Sequence, residues 1–296
     1  MPRVRANGLD IEWEGFGREG DPAILLIHGF ATPLTGWPDS LCHGLAARGF
    51  RVVRFDNRDI GHSTFLPELG VPDLGALMAE ARSGGRPGAP YALDDMAADA
   101  VGVIDALGID RAFVAGASMG GMIAQLVALN HPGRTSGLVS IMSTTGRPGL
   151  EPAKPEAMRA LTAMPASSSR ADRLATAVAA ARAISGSGFP QTDAELAAYL
   201  GRSIDDTPFD PAAAARHMAA IVAAPPRHER LKGLQTPTLV IHGSEDPLIP
   251  PAHGEDTARC IPGAKLLIVP GMGHDLKEAM MPTWIEAIGG FATQPT

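Results

Sequence analysis

The stretch that constrains this chain most is Ala112-Phe-Val-Ala-Gly-Ala-Ser118-Met-Gly-Gly-Met-Ile-Ala-Gln125. Phe113-Val114-Ala115 reads as a short apolar strand. Met119, Met122, Ile123, Leu126 and Val127 read as the buried side of a helix that ends near Asn130-His131-Pro132. Ser118 sits between the two, flanked by Gly116 and Gly120, so strand must become helix within one sharp turn. Glycine is needed at both flanks because a side chain there would run into the neighbouring strand and helix. Such a turn holds its serine in a strained backbone conformation and pushes the hydroxyl out beyond the strand. The amide of Met119 begins the helix and points the same way, which sets half of an oxyanion hole beside a nucleophile. The glycine pattern alone is weak in a chain with 34 glycines. The strand before it, the helix after it and the partners further along make it specific.

The rest of the chain supplies a sheet around this turn. Residues 3–15 alternate about Asn7-Gly8, a strong hairpin signal, and predict two antiparallel edge strands, Arg3–Ala6 and Leu9–Glu14. Ala23–Ile27 is a continuous apolar run, as expected of a strand buried on both faces of a parallel sheet. Arg51–Phe55, Gly137–Met142, Thr238–Ile241 and Lys265–Val269 are further strands. Helices are expected at Asp39–Arg48, Leu93–Leu107, Ala252–Cys260 and Leu276–Phe291. Residues 66–92 are expected to be a long irregular connection, mobile at Ser83–Pro90. Alternating strands and helices predict an α/β fold with a mostly parallel, doubly wound, eight-stranded sheet.

From Gly146 to about Arg230 the character changes. The segment is alanine-rich, broken by prolines, and carries helical spacing at about Pro155–Met164, Ser169–Ser185, Asp193–Ser203 and Pro211–Ala223. Residues 147–230 therefore read as a helical cap inserted into a core made of 1–146 and 231–296. Met158, Met164 and Met218 would give that cap an adaptable surface.

In a doubly wound sheet, ligands bind beyond the carboxyl ends of the strands. Phe30, Ser118, Asp246 and His274 each fall just past such an end, and random polar residues would not share one rim. A serine hydroxyl needs a base, and a histidine titrates near neutrality. A carboxylate must then hold the imidazole in one tautomer. Ser118, Asp246 and His274 are the catalytic candidates. His274 alone of nine histidines sits on a glycine-flanked turn after the last strand. His28 shapes the turn after its strand, His62 lies in a structural loop and His242 precedes the acid loop. His43, His131, His217, His228 and His253 fall on or beside helices and are expected to be solvated. Glu245 and Asp275 compete with Asp246 for the acid, and Asp246-Pro247 holds the better place. The amides of Phe30 and Met119 are the candidate oxyanion donors. His28, Trp37, Met142 and Met272 are candidate pocket residues, with Phe30 and Met119 available to wall the same space.

Composition removes other classes. The net charge of −7, with no block of like charges, argues against a nucleic-acid partner. Cys42 and Cys260 form no disulfide framework and no zinc spacing. There is no H-E-x-x-H, C-x-x-C or Walker A pattern, so neither a metal nor a cofactor is expected. Residues 1–20 lack a signal-like apolar run and no stretch reaches the ~20 apolar residues of a membrane span, so a cytoplasmic protein is the expectation. The oligomeric state stays open.

His28-Gly-Phe30, Asp56-Asn-Arg-Asp-Ile-Gly-His-Ser63, Gly116-Ala-Ser-Met-Gly-Gly121, His242-Gly-Ser-Glu-Asp246 and Pro270-Gly-Met-Gly-His274 together resemble the α/β-hydrolase superfamily across nearly the whole chain. Trp37-Pro-Asp39, the Asp56–Ser63 loop, Ile184-Ser-Gly186 and Pro270–His274 are similar to the aclacinomycin methylesterase group of bacterial esterases. The oxyanion loop, His28-Gly-Phe-Ala, departs from the Met-Gly-Gly type of that group. The resemblance implies a serine hydrolase that cleaves a carboxylic ester through an acyl-enzyme, with a small-molecule methyl or short-chain acyl ester as partner. A cofactor-free perhydrolase, a C–C bond hydrolase and a small-molecule receptor on the same fold are the alternatives. Serine at position 118 sets the chain apart from dehalogenases and epoxide hydrolases, which carry aspartate there.

Overall fold

The computed structural model describes residues 1–208 and 210–293. Eight strands form one sheet: β1 (Arg3–Ala6), β2 (Leu9–Phe16), β3 (Ala23–Ile27), β4 (Arg51–Phe55), β5 (Ala112–Ala117), β6 (Thr135–Ile141), β7 (Thr238–Gly243) and β8 (Lys265–Val269). Their spatial order is β1-β2-β4-β3-β5-β6-β7-β8. The β1–β2 hairpin pairs antiparallel and joins β4 antiparallel, while every later pairing is parallel. The hairpin turns at Asn7-Gly8, both with positive φ, the geometry that an Asn-Gly turn provides.

Eleven α-helices are present among the described residues. They are α1 (Asp39–Ala46), α2 (Leu74–Arg82), α3 (Leu93–Ala106), α4 (Met119–Asn130), α5 (Pro155–Leu161), α6 (Arg170–Ile184), α7 (Asp193–Asp206), α8 (Pro211–Ala223), α9 (His228–Leu231), α10 (Pro251–Cys260) and α11 (Met281–Ala292). Side chains alternate across β3, so Leu25 and Ile27 pack on one face with α3 and α4, while Ile24 and Leu26 pack on the other with α1 and α11. All four are essentially sealed from water, which is why β3 reads as an unbroken apolar run.

Two expectations need correcting. The connection expected to be irregular contains α2, whose N-cap Asp73 accepts the Ala76 amide. Only Leu77 of that helix is buried, so its apolar pattern was too thin to read. The last helix begins at Met281, not Leu276, because Pro282 suits a first helical turn and the preceding residues form a tight turn instead.

Helices α5 to α9 all fall between β6 and β7. Tyr199 on α7 donates to the Gly36 carbonyl at 2.7 Å, and Arg216 on α8 grips Asp59 in the loop after β4. The turn after α6 packs against the turn after β8, with Gly188 N–H donating to Gly271 O at 2.9 Å. A Cβ at Gly273 would meet the Gly186 nitrogen at 2.2 Å, so these two turns fit only as glycines. No described helix is long and apolar enough to cross a membrane.

Candidate active site

The strand order places the ends of β3 and β5 side by side, with β4 on the far side of β3. A doubly wound sheet opens a crevice at such a switch point. Ser118 stands there with φ +57° and ψ −121°, a conformation an L residue adopts only when its surroundings force it. The forcing contacts are visible in the glycines. A Cβ at Gly116 would lie 2.0 Å from Gly120 O, and one at Gly120 would lie 2.0 Å from Ile27 O. The Ser118 amide donates to Ile141 O at 2.9 Å and its carbonyl accepts from Ser143 Oγ at 2.8 Å.

His274, on the turn after β8, brings Nε2 within 3.0 Å of Ser118 Oγ, the serine donating. Its Nδ1–H donates to Asp246 Oδ2 at 2.7 Å. Asp246 does not swing freely, because its Oδ1 accepts the amides of Leu248 and Ile249 at 2.9 and 2.8 Å. The His274 amide donates to Ile184 O at 2.7 Å, so the last residue of α6 fixes the backbone that carries the imidazole. Glu245 is turned away and takes the Ser187 amide and hydroxyl. Asp275 pairs with Lys277 Nζ at 3.1 Å, so neither competing carboxylate reaches His274 Nδ1.

The loop after β3 completes the arrangement. A Cβ at Gly29 would lie 3.0 Å from Ser118 Cβ, which is how close this loop runs to the serine. The Phe30 amide has no acceptor among the described residues. Met119 is the first residue of α4, so its amide has no helical partner either. His28 is buried, accepts the Gly29 amide on Nδ1 at 2.7 Å, and is held down at a pKa of about 4 mainly by loss of solvation.

A cavity of about 190 Å³ opens on Ser118 and His274 and is walled by His28, Phe30 and Met142 from below and by Leu161, Ile184 and Tyr199 from α5, α6 and α7 above. Burial pushes the Tyr199 hydroxyl up to about 12, so it stays protonated and donates to Gly36 O. A second, mostly apolar cavity of about 480 Å³ shares Phe30, Thr32, Leu161, Ala181, Ile184 and Leu200 with the first. Met164 and Met218 line it, whereas Met158 does not.

Among the other pocket candidates, Trp37 and Met272 belong to the core and do not reach either cavity. Trp37 is fully buried and packs edge-on against His28 at 5.2 Å. Met272 is buried in the core cluster that also holds Met281, Trp284 and Ile288 of α11. The side chain of Met119 is also buried in the core, so it offers the site its amide alone.

The histidines expected on solvated helix faces divide. His43 is exposed, while His131, His228 and His253 are half-buried. His217 is fully buried and bonds to the Ala31 amide and the Arg58 carbonyl. The signal for it was present: Ala213, Arg216, His217 and Ala220 recur at i, i+3, i+4 and i+7, the buried stripe of α8. Asn57 was also missed as a site residue. Its Nδ2 donates to His28 O at 3.0 Å and so fixes the start of the same loop. Among the described residues no group of His, Cys, Asp and Glu could hold a metal ion.

A family model described as the alpha/beta hydrolase fold matches residues 22–278. The chain belongs to the α/β-hydrolase fold family. Within the family it is 31% identical over 294 residues to rhodomycin D methylesterase DauP of Streptomyces sp. (strain C5), a match covering 90% of this chain and 89% of that one. The solved structure of Est816, described as an N-acyl homoserine lactone degrading enzyme, superposes with a TM-score of 0.69 at 26% identity, covering 98% of this chain and 100% of that one. The enol-lactonase from Burkholderia xenovorans LB400 shares the α/β-hydrolase fold with a TM-score of 0.71 at 22% identity, over 99% of this chain and 100% of that one.

Proposed function

We propose that this chain hydrolyses carboxylic esters through an acyl-enzyme on Ser118. The observation that carries the reading is the continuous relay from Ser118 Oγ through His274 to an Asp246 carboxylate whose second oxygen is tied to two backbone amides. The ester carbonyl lies against the amides of Phe30 and Met119. His274 Nε2 takes the serine proton as Oγ attacks the carbonyl carbon, and Asp246 stabilises the imidazolium. The two amides hold the oxyanion of the tetrahedral intermediate. On collapse, the C–O bond breaks and His274 returns the proton to the departing alkoxide. Water then attacks the acyl-enzyme, giving its proton to His274, and the acid leaves with Ser118 restored.

Residues 147–230 act as a lid over a core of residues 1–146 and 231–296, and the lid sets which ester fits. The relative named a methylesterase and the two joined cavities support the same division of the substrate. A methyl or short-chain ester reacts in the smaller cavity beside Ser118, while an apolar body of the molecule rests in the larger one.

Turnover of a p-nitrophenyl ester series from acetate to decanoate, by the wild type and Ser118→Ala in parallel, tests the reading. Serine-dependent release is expected. Undiminished release by Ser118→Ala overturns it, as does a folded wild type that hydrolyses no ester.

A further inference from the structure

The oxyanion loop is clamped from two sides. Upstream, the peptide linking His28 and Gly29 is fixed at both ends. Its carbonyl accepts from Asn57 Nδ2 at 3.0 Å and its N–H donates to His28 Nδ1 at 2.7 Å. Downstream, the carbonyl of the peptide linking Phe30 and Ala31 accepts from Thr32 Oγ1 at 2.9 Å. Its N–H donates to His217 Nδ1 at 3.3 Å. Between them lies the Gly29–Phe30 peptide, whose N–H is the Phe30 amide assigned above to the oxyanion. The direction of that amide is therefore set by its two neighbours, and one of those is held from α8.

The chemistry of His217 is fixed by its partners. A backbone N–H can only donate and a carbonyl can only accept, so Nδ1 is bare and Nε2 carries the proton that goes to Arg58 O at 2.7 Å. The ring is fully buried, with Phe30 and Tyr91 edge-on at 6.4 Å each. Beside it, Arg216 anchors α8 to Asp59 through two bonds of 2.8 and 2.7 Å. Ala31 itself has φ +46°, a conformation a non-glycine residue keeps only when held there. The His217 bond is the contact that holds it from α8.

We propose that His217 is a positioning residue: it couples α8 to the oxyanion donor of Phe30 by fixing the Ala31 peptide. The inference rests on the assignment of the Phe30 amide to the oxyanion hole and extends it to a residue of the lid. It implies that catalytic competence and lid placement are one state. If α8 lifts, the Phe30–Ala31 peptide keeps its Thr32 bond and loses the one from His217, together with the α8 wall of the larger cavity.

Two substitutions separate the ring's two bonds. In His217→Asn, Oδ1 replaces Nδ1 and keeps the Ala31 bond while losing Arg58. In His217→Gln, Nε2 replaces the ring Nε2 and keeps Arg58 while losing Ala31. Each variant gives up one buried hydrogen bond, so both lose a comparable amount of stability against urea. Activity should divide them. His217→Gln is expected to lose kcat on p-nitrophenyl acetate by about 10- to 100-fold, with KM within about threefold. Its affinity for phenylboronic acid, which forms a tetrahedral serine adduct, should fall alongside. His217→Asn should keep most of both. Equal kcat in the two variants, or a loss in His217→Asn alone, overturns the proposal. Ser118→Ala, run beside them, distinguishes the levels: if it turns over ester like the wild type, the underlying reading fails; if it is inactive while His217→Gln is not impaired, only the positioning role fails.

Discussion

Arg216 and Asp59 form a buried bidentate pair that joins α8 to the loop after β4, with both side chains wholly shielded from water. Asp59 also accepts the Tyr91 hydroxyl at 2.9 Å and the Leu66 amide at 2.8 Å, and Arg216 donates to Gly70 O. Helix α8 is thus attached to the loop after β4 by a buried polar network.

Breaking that pair on one side leaves a buried charge without its partner. Arg216→Met is expected to lower stability by about 3–5 kcal/mol, and Asp59→Asn by a similar amount. The double variant should lose much less than the two losses combined, since neither charge is then stranded. Urea unfolding of the three variants checks this. Strict additivity would show that the pair contributes no coupling.

The relay predicts a graded loss of turnover. Ser118→Ala and His274→Ala should each lower kcat by about 10⁴- to 10⁶-fold, and Asp246→Asn by about 10³- to 10⁴-fold. Asp246→Asn keeps the shape but offers an amide where His274 needs a carboxylate. Single-turnover release of p-nitrophenol, measured on proteins of unchanged circular dichroism, gives the order. An Asp246→Asn enzyme as active as the wild type would assign the acid elsewhere.

Burial holds His28 at about 4, below the 6.5 of an unfolded chain, and also lowers His217 and His242. The folded state therefore binds fewer protons than the unfolded state between these values. The stability that depends on neutral His28 is complete above pH 6.5 and is lost as the pH falls toward 4, about 3 kcal/mol in all. Urea midpoints at pH 7.0, 5.5 and 4.5 should fall in that order. His28→Asn, whose Oδ1 can still accept the Gly29 amide, should show a shallower fall. An equal slope in both proteins would remove His28 from the account.

Ala181 lines both cavities at their junction. Ala181→Phe should narrow the passage and cut kcat/KM for p-nitrophenyl octanoate by about tenfold or more, while acetate changes by less than about threefold. Parallel loss on both esters would mean that the larger cavity does not receive the substrate.

The sheet and the turn at Ser118 were legible because their causes are local. Apolar runs such as Ala23–Ile27 report a strand covered on both faces, and the glycines around Ser118 report a backbone approach that no side chain allows. The helical periods of α3 and α8 were equally plain, but which face of α8 would be covered was not read. His217 was expected in water and lies sealed between the β3 loop and Arg58. Trp37 and Met272 show the converse, since large apolar side chains near a reactive rim were read as pocket walls and are core.

By itself, then, the sequence determined the order of the strands and of the long helices packed on them, the strained turn at Ser118 and the rim on which Ser118, Asp246 and His274 stand. Tertiary structure decided which polar groups meet across the rim. Hydrogen bonds such as those of His217 to Ala31 at 3.3 Å, 186 positions away, and to Arg58 at 2.7 Å, 159 positions away, depend on how two elements are docked. Docking is set by the summed packing of many side chains, and no local pattern of residues records it.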